Sequence, residues 1–224
     1  MTRTLITGAN RGIGRALAEL AHAEGHKVIA AMRDPATATD LPQGITRLKL
    51  DVTAQGDLDA MEHALASQPL DRLMCNAGLG FRKDRIGGDT GTIAEWQAVM
   101  AANVTGVFMT ISAALPALRR ANGAKISIIS SQMGSSTLAA GGAYAYRASK
   151  AAALNIGMTL AADLKAEGIA VGIYHPGWVR TDMGGTRADL SAEESAVGLL
   201  SCLEALTLDQ TGGFFNWDGR PHPV

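Results

Sequence analysis

The sequence has little that would brace or target the chain by unusual means. It holds only two cysteines, Cys75 and Cys202, too few for a disulfide framework and in keeping with a reducing compartment. It has almost no net charge: 20 Lys and Arg against 21 Asp and Glu leave −1. That removes the basic footprint expected of a nucleic-acid binder. No uninterrupted apolar run approaches the ~18 residues of a membrane span. The opening Met1-Thr2-Arg3-Thr4-Leu5-Ile6-Thr7-Gly8 lacks the apolar core of a secretory signal. Repeats, low-complexity tracts and Pro/Ser-rich linkers are missing too. These absences predict a cytoplasmic protein with no nucleic acid and no membrane as partner.

What is present is a globular composition. Apolar residues make up 47% and charged residues 18%, which excludes a disordered chain. At roughly 150 residues per domain, 224 residues are read most economically as one domain, 1–224. Glycine is in excess, 26 residues against a usual ~7%. Outside linkers, glycines mark places where backbone closely approaches something.

Short apolar runs alternate with helical patterns along the whole chain. Thr4–Thr7, Lys27–Met32, Ile45–Leu50, Arg72–Cys75, Lys125–Ile129, Ile169–Tyr174 and Phe214–Trp217 read as seven strands. Helices are expected near 12–24, 54–67, 92–121, 142–166 and 191–206, with a turn or stub helix at 34–44. Alternation of this kind predicts an α/β fold: a doubly wound parallel sheet of about seven strands with helices on both faces, of Rossmann type. The unusual residues follow the strands: Gly8 to Gly14, Arg33-Asp34-Pro35, Asp51, Asn76-Ala77-Gly78, Ser130-Ser131 and His175-Pro176-Gly177. In open parallel sheets a ligand lies beyond the carboxyl ends of the strands, so these six strand ends point to one site.

Gly8 and Gly12 bracket a tight turn and Gly14 enters the first helix. Such a turn lets backbone approach a diphosphate, and the helix start supplies free N–H groups. The spacing is G-x-x-x-G-x-G. Thr7-Gly8-Ala9-Asn10-Arg11-Gly12-Ile13-Gly14, Asn76-Ala77-Gly78, Tyr146-Arg147-Ala148-Ser149-Lys150 and Pro176-Gly177-Trp178-Val179-Arg180-Thr181-Asp182 together resemble the motifs of the short-chain dehydrogenase/reductase family. They occur in that family's order across essentially the whole chain. The ending Gly213–Val224 is similar to the C-factor-like branch of the family.

The resemblance implies a nicotinamide cofactor held by Gly8, Asn10, Arg11, Gly12, Ile13, Gly14, Asn76, Ala77 and Gly78. Asp51 and Val52 take the adenine positions, and Pro176, Gly177, Val179 and Thr181 fix the nicotinamide amide. Strand two should end beside the adenosine ribose, where an acid favours NAD(H) and a cation NADP(H). The acid position of the family is filled by Met32, and Arg33 follows; Arg11 adds a second cation. NADP(H) is therefore expected over NAD(H). Asp34 stands at the usual distance for the acid, but Pro35 beside it favours a turn role.

Tyr146 and Lys150 are four apart, on one face of a helix. Bringing a phenol from its ordinary range to about 7 takes roughly 4 kcal/mol. One ammonium ~4 Å away supplies about that at an effective dielectric of ~20. The resemblance implies that Tyr146 is the proton donor, that Lys150 tunes it and holds the cofactor ribose, and that Asn103 holds a water near the lysine. The family serine lies 13 residues before the tyrosine, where this chain has Met133. The strand end favours Ser131 with a two-residue insertion; Ser130 is the rival.

The reading is an NADP(H)-dependent oxidoreductase acting on a carbonyl or secondary alcohol. The alternative is a dinucleotide-sensing regulatory or interaction protein with little turnover. A homodimer or homotetramer through 92–121 and 142–166 is expected from the family and from the small side chains of the second helix. No metal is expected: His22 and His26 have no third ligand at hand. Arg82, Lys83 and Arg85 form a basic cluster read as a solvated loop.

Overall fold

The computed structural model describes residues 1–80 and 84–224. Arg82 and Lys83 of the basic cluster lie outside the described residues; Arg85 is exposed. The elements are β1 (Arg3–Thr7), α1 (Gly12–Ala23), β2 (Lys27–Met32), β3 (Thr46–Lys49), α2 (Gln55–Leu65), β4 (Arg72–Cys75), α3 (Ile93–Met100), α4 (Gly106–Arg119), β5 (Lys125–Ile129), α5 (Tyr144–Leu164), β6 (Ala170–His175), α6 (Ala192–Ala205) and β7 (Phe214–Asn216). They form one seven-stranded sheet in the order β3-β2-β1-β4-β5-β6-β7. Every pairing in it is parallel.

The central strands are apolar runs because both faces are covered. β6 is buried along its whole length. On one face Leu58, Met61, Ile111, Leu118, Leu154 and Leu164 pack over Leu73, Ile126 and Ile128. On the other, Leu17, Leu199, Leu200 and Leu203 of α1 and α6 cover Ile6, Met74 and Tyr174. The strand order reverses between β1 and β4, so the crevice beyond those two strand ends is the natural ligand position.

Two local features matter for the site, the first a departure from the expected helix and the second the expected turn. The expected helix 92–121 is interrupted by a π turn at Ala101–Thr105, which carries Asn103. The wider turn inserts Asn103 inward, and it is fully buried; periodicity could not reveal this because the apolar pattern runs on through the turn. The segment after β2 is a single 3₁₀ turn, Pro35–Ala38, capped by Asp34 through the Ala36 N–H. That settles Asp34 as a turn residue.

The expectation about membrane-length segments is corrected. The helical stretch Ile93–Arg119, with the π turn inside it, is by length and composition apolar enough to cross a membrane. Counting only unbroken apolar runs missed it, since Thr, Ser and Asn are interspersed. Its Val107, Ile111, Ala114, Ala117 and Leu118 are buried in the core on one face of the sheet.

Candidate active site and cofactor cleft

The turn from β1 into α1 is built almost wholly from backbone. Gly8 and Gly12 both have positive φ, 67° and 54°, which side chains rarely tolerate. A Cβ on Gly8 would lie 2.9 Å from the Ala77 Cα, and one on Gly12 would lie 3.1 Å from the Thr181 methyl. At Gly14 a Cβ would collide with the Gly8 carbonyl oxygen. Asn76 locks the turn from β4: its side-chain amide donates to the Thr7 carbonyl at 3.0 Å and to the Gly8 carbonyl at 3.4 Å. The Thr7 hydroxyl accepts from the N–H groups of Asn76 and Ala77.

The first turn of α1 has no acidic residue, and its preceding residue, Arg11, offers no side-chain cap. A helix start left in this condition favours an anion. The glycine cradle and the uncapped helix start together fit the diphosphate of a dinucleotide.

Around this cradle the predicted cofactor residues separate. Arg33 is exposed and makes no ion pair among the described residues. The Arg11 guanidinium is paired with Asp182 at 2.6 Å. Both side chains of this pair are exposed, and it is a long-range contact that strand ends alone could not disclose. Asp51 bends back on its own turn, accepting from the Thr53 N–H and hydroxyl. Those bonds hold its carboxyl below the usual range. Val52 is buried against Gly106. Asn10 and Ile13 are half-buried on either side of the turn.

After β6, the Pro176 carbonyl accepts from the Ser195 hydroxyl at 2.7 Å. Gly177 sits under Leu190 and Trp217. Val179 bridges to Leu190, and the Thr181 hydroxyl accepts from the Gly184 N–H. Met183 lies on Gly80, where a Cβ would come within 2.7 Å of its Cγ. The strap 179–184 thus spans from the glycine turn to the end of β4. Sequence reading anticipated neither the Asp182 pair nor this contact, since neither leaves a local pattern.

The candidate catalytic residues converge at the end of β5. Ser131 is buried, its hydroxyl accepts from the Met133 N–H at 3.1 Å, and it lies near enough to Tyr146 to favour the ionised phenol. Ser130 is turned away: its hydroxyl donates to the Lys150 carbonyl at 2.8 Å. The Lys150 ammonium donates to the Ile129 carbonyl at 2.8 Å and lies 5.6 Å from the Tyr146 ring centroid. Burial lowers Lys150 to about 8, which leaves it mostly charged at neutral pH.

Tyr146 itself differs from the expectation. Burial pushes the phenol up from its ordinary range, and the neighbouring Ser131 hydroxyl only partly opposes this. The Lys150 ammonium, bonded to the Ile129 carbonyl and 5.6 Å from the ring centroid, does not reverse this. A phenol that keeps its proton at neutral pH can donate it to a carbonyl oxygen.

Asn103 clamps the end of β4. It accepts from the Leu79 N–H at 2.7 Å and donates to the Leu79 carbonyl at 2.8 Å and the Ser149 hydroxyl at 3.0 Å. A Cβ on Gly78 would lie 2.9 Å from the Asn103 carbonyl oxygen and 3.6 Å from the Lys150 Nζ. Among the described residues no three His, Cys, Asp or Glu side chains gather as metal ligands.

The fold and this cleft define a dinucleotide-binding α/β protein with a Ser-Tyr-Lys cluster beside the cradle. Residues 2–191 match the family model of short chain dehydrogenases. The chain belongs to the short-chain dehydrogenase/reductase family. It is 39% identical over 159 residues to the C-signal protein of Myxococcus xanthus, covering 69% of this chain and 93% of that protein. Among solved structures, the carbonyl reductase Sniffer of D. melanogaster superposes with a TM-score of 0.94 at 30% identity, covering 100% of both chains. An NADPH-bound carbonyl reductase from chicken fatty liver gives a TM-score of 0.92 at 31% identity, covering 100% of this chain and 99% of that one.

Proposed function

We propose that this protein is an NADP(H)-dependent oxidoreductase that reduces a carbonyl to a secondary alcohol. The observation that carries the reading is the convergence of Ser131, Tyr146 and a buried Lys150 at the end of β5, at the edge of a glycine cradle. The family and the carbonyl reductase likenesses support it.

Bound NADPH supplies the reducing equivalent for the carbonyl carbon. The protein does the rest. The cradle at Gly8, Gly12 and Gly14 holds the diphosphate, with Asn76, Ala77 and Gly78 forming its floor. Arg33 would meet the 2′-phosphate, and Asp51 and Val52 would border the adenine. Pro176, Gly177, Val179 and Thr181 hold the nicotinamide end. Ser131 orients the carbonyl oxygen and Tyr146 gives it a proton. Lys150 lies next to Gly78, in position to hold the ribose hydroxyls and to stabilise the phenolate that remains. Asn103 acts by fixing the Leu79 backbone against α5, which is a positioning role.

The chain acts as one domain, 1–224, in the cytoplasm, as a homodimer or homotetramer through α4 and α5. Phe108 is 45% exposed on α4, and Ala148, Ala151 and Ala152 leave α5 thinly covered, which suits close helix approach. Light scattering at micromolar concentration is expected to give a dimer or larger; a clean monomer rejects this assembly.

The functional test is NADPH absorbance loss against a panel of ketones, aldehydes and quinones. Turnover on one class identifies the substrate class. Tight NADPH binding with no turnover on any class rejects the reductase and leaves the dinucleotide-sensing alternative.

A further inference from the structure

We propose that Asp84, from the loop after β4, is a positioning residue for the reaction: it holds the start of α5 and so sets the Tyr146 hydroxyl against Ser131. The proposal rests on Tyr146 being the proton donor.

α5 begins awkwardly. The residue before it, Ala143, is left-handed with φ 55° and is the one non-glycine residue with positive φ among those described. An alanine offers no side-chain cap, and none is made. The first N–H groups of a helix need partners from elsewhere.

Asp84 supplies two of them from 60 residues away. Its carboxylate accepts from the Tyr144 N–H at 2.7 Å, and its backbone carbonyl accepts from the Ala143 N–H at 3.2 Å. The side chain is 1% exposed. A carboxylate at this end of a helix also suits the helix dipole. A left-handed alanine persists only where its surroundings over-determine it, and here Asp84 is the group that does so.

The consequence for chemistry follows from a second pin farther along. One turn past Tyr146, the Lys150 carbonyl accepts from the Ser130 hydroxyl at 2.8 Å. Gly134 packs there so closely that a Cβ would lie 2.7 Å from the Lys150 carbonyl carbon. Lys150 is therefore anchored to the β5 end. Tyr146 lies between that anchor and Asp84, on the first turn of α5. The first intrahelical bond runs from the Arg147 N–H to the Ala143 carbonyl at 2.8 Å. Releasing Asp84 frees the turn that carries Tyr146 while Lys150 and the glycine cradle stay fixed. Displacements of about 1 Å cost on the order of 10²-fold in rate.

The test uses the full chain with NADPH and a carbonyl substrate taken from the panel. Asp84→Ala is expected to lower kcat about 10- to 100-fold. NADPH affinity, read by fluorescence titration, should stay within about twofold, because the cradle does not depend on α5. Asp84→Asn keeps an oxygen acceptor and should recover kcat to within about threefold of the parent. Ala143→Gly takes the left-handed conformation without strain, so adding it to Asp84→Ala should restore much of the lost rate.

Retention of kcat within about twofold in Asp84→Ala overturns the proposal. So does a parallel loss of rate and NADPH affinity, or a double variant no better than the single one. If Asp84→Ala does not fold, the double variant decides: folded with recovered turnover supports the proposal, unfolded rejects it. Tyr146→Phe, run alongside, separates the two levels: if it keeps turnover, the proton-donor assignment has failed and the Asp84 proposal with it.

Discussion

The two halves of the cleft are built by opposite means. The cradle side, β1 into α1 with the end of β4, is made of backbone placed by glycines and one asparagine amide. Its turn is formed by seven consecutive residues and locked from β4 by Asn76. The catalytic side, the end of β5 with α5, is made of buried side chains that meet across the chain. Ser130 reaches Lys150 and Asp84 reaches Tyr144. The cradle binds through fixed dipoles that need no burial of charge. The catalytic side buries an ammonium and a phenol and bears a desolvation cost for both. Binding and chemistry should therefore be separable by mutation.

The sharpest break is between Tyr146→Phe and Gly12→Val. The first removes the proton donor and should lower single-turnover reduction by 10²–10⁴-fold, with NADPH affinity within about twofold of the parent. The second puts a branched side chain at positive φ against Thr181 and should abolish NADPH binding. A Tyr146→Phe variant that still reduces at a tenth of the parent rate would falsify the proton-donor assignment.

The serine pair divides the catalytic side itself. Ser131→Ala should reduce turnover by about 10- to 100-fold, as loss of a hydrogen bond to the reacting oxygen does. Ser130→Ala breaks an internal bond to α5 worth about 1 kcal/mol and should chiefly lower Tm. Steady-state kinetics beside thermal melts distinguishes the two. A larger rate loss at Ser130 would reverse the roles.

On the cradle side, Arg33→Asp should narrow or reverse the preference for NADPH over NADH. A shift of about tenfold corresponds to ~1.4 kcal/mol, modest because Arg33 is exposed and screened. Cofactor titrations with both dinucleotides measure it. Tighter NADH than NADPH binding in the parent protein contradicts the assignment of Arg33.

The smallest effect is on stability. Lys150 is lowered from 10.5 to about 8 by burial. Its charged form is thus disfavoured in the fold by roughly 3 kcal/mol, partly offset by its bond to Ile129. Lys150→Met should raise Tm by a few degrees while turnover is lost. The sign is checked by pH. Between about 8 and 10.5 the unfolded lysine holds a proton that the folded one has released, so the parent's stability from this group rises with pH there. In the variant that rise should vanish. A lower Tm for Lys150→Met at pH 7 contradicts the desolvation argument.

Much of this molecule was legible in its sequence, for a physical reason. Strand and helix periodicity is a local property, so seven strands and the parallel doubly wound arrangement follow from alternation alone. A glycine motif between a strand and a helix is also local, so the cradle was readable from Gly8 to Gly14. Tyr146 and Lys150 share a helix face, which spacing reveals. The choice of Ser131 over Ser130 rested on a strand end, and only the fold shows Ser130 turned to the Lys150 carbonyl. The partner of Arg11, the inward turn of Asn103 and the cap that Asp84 provides were decided by tertiary structure. Each joins residues far apart in the chain, and a hydrogen bond across 60 or 171 positions leaves no period or spacing to read. The protonation of the site belongs to the same class. The acidity of Tyr146 and Lys150 depends on how completely the packed chain excludes water from them, which only the assembled fold determines.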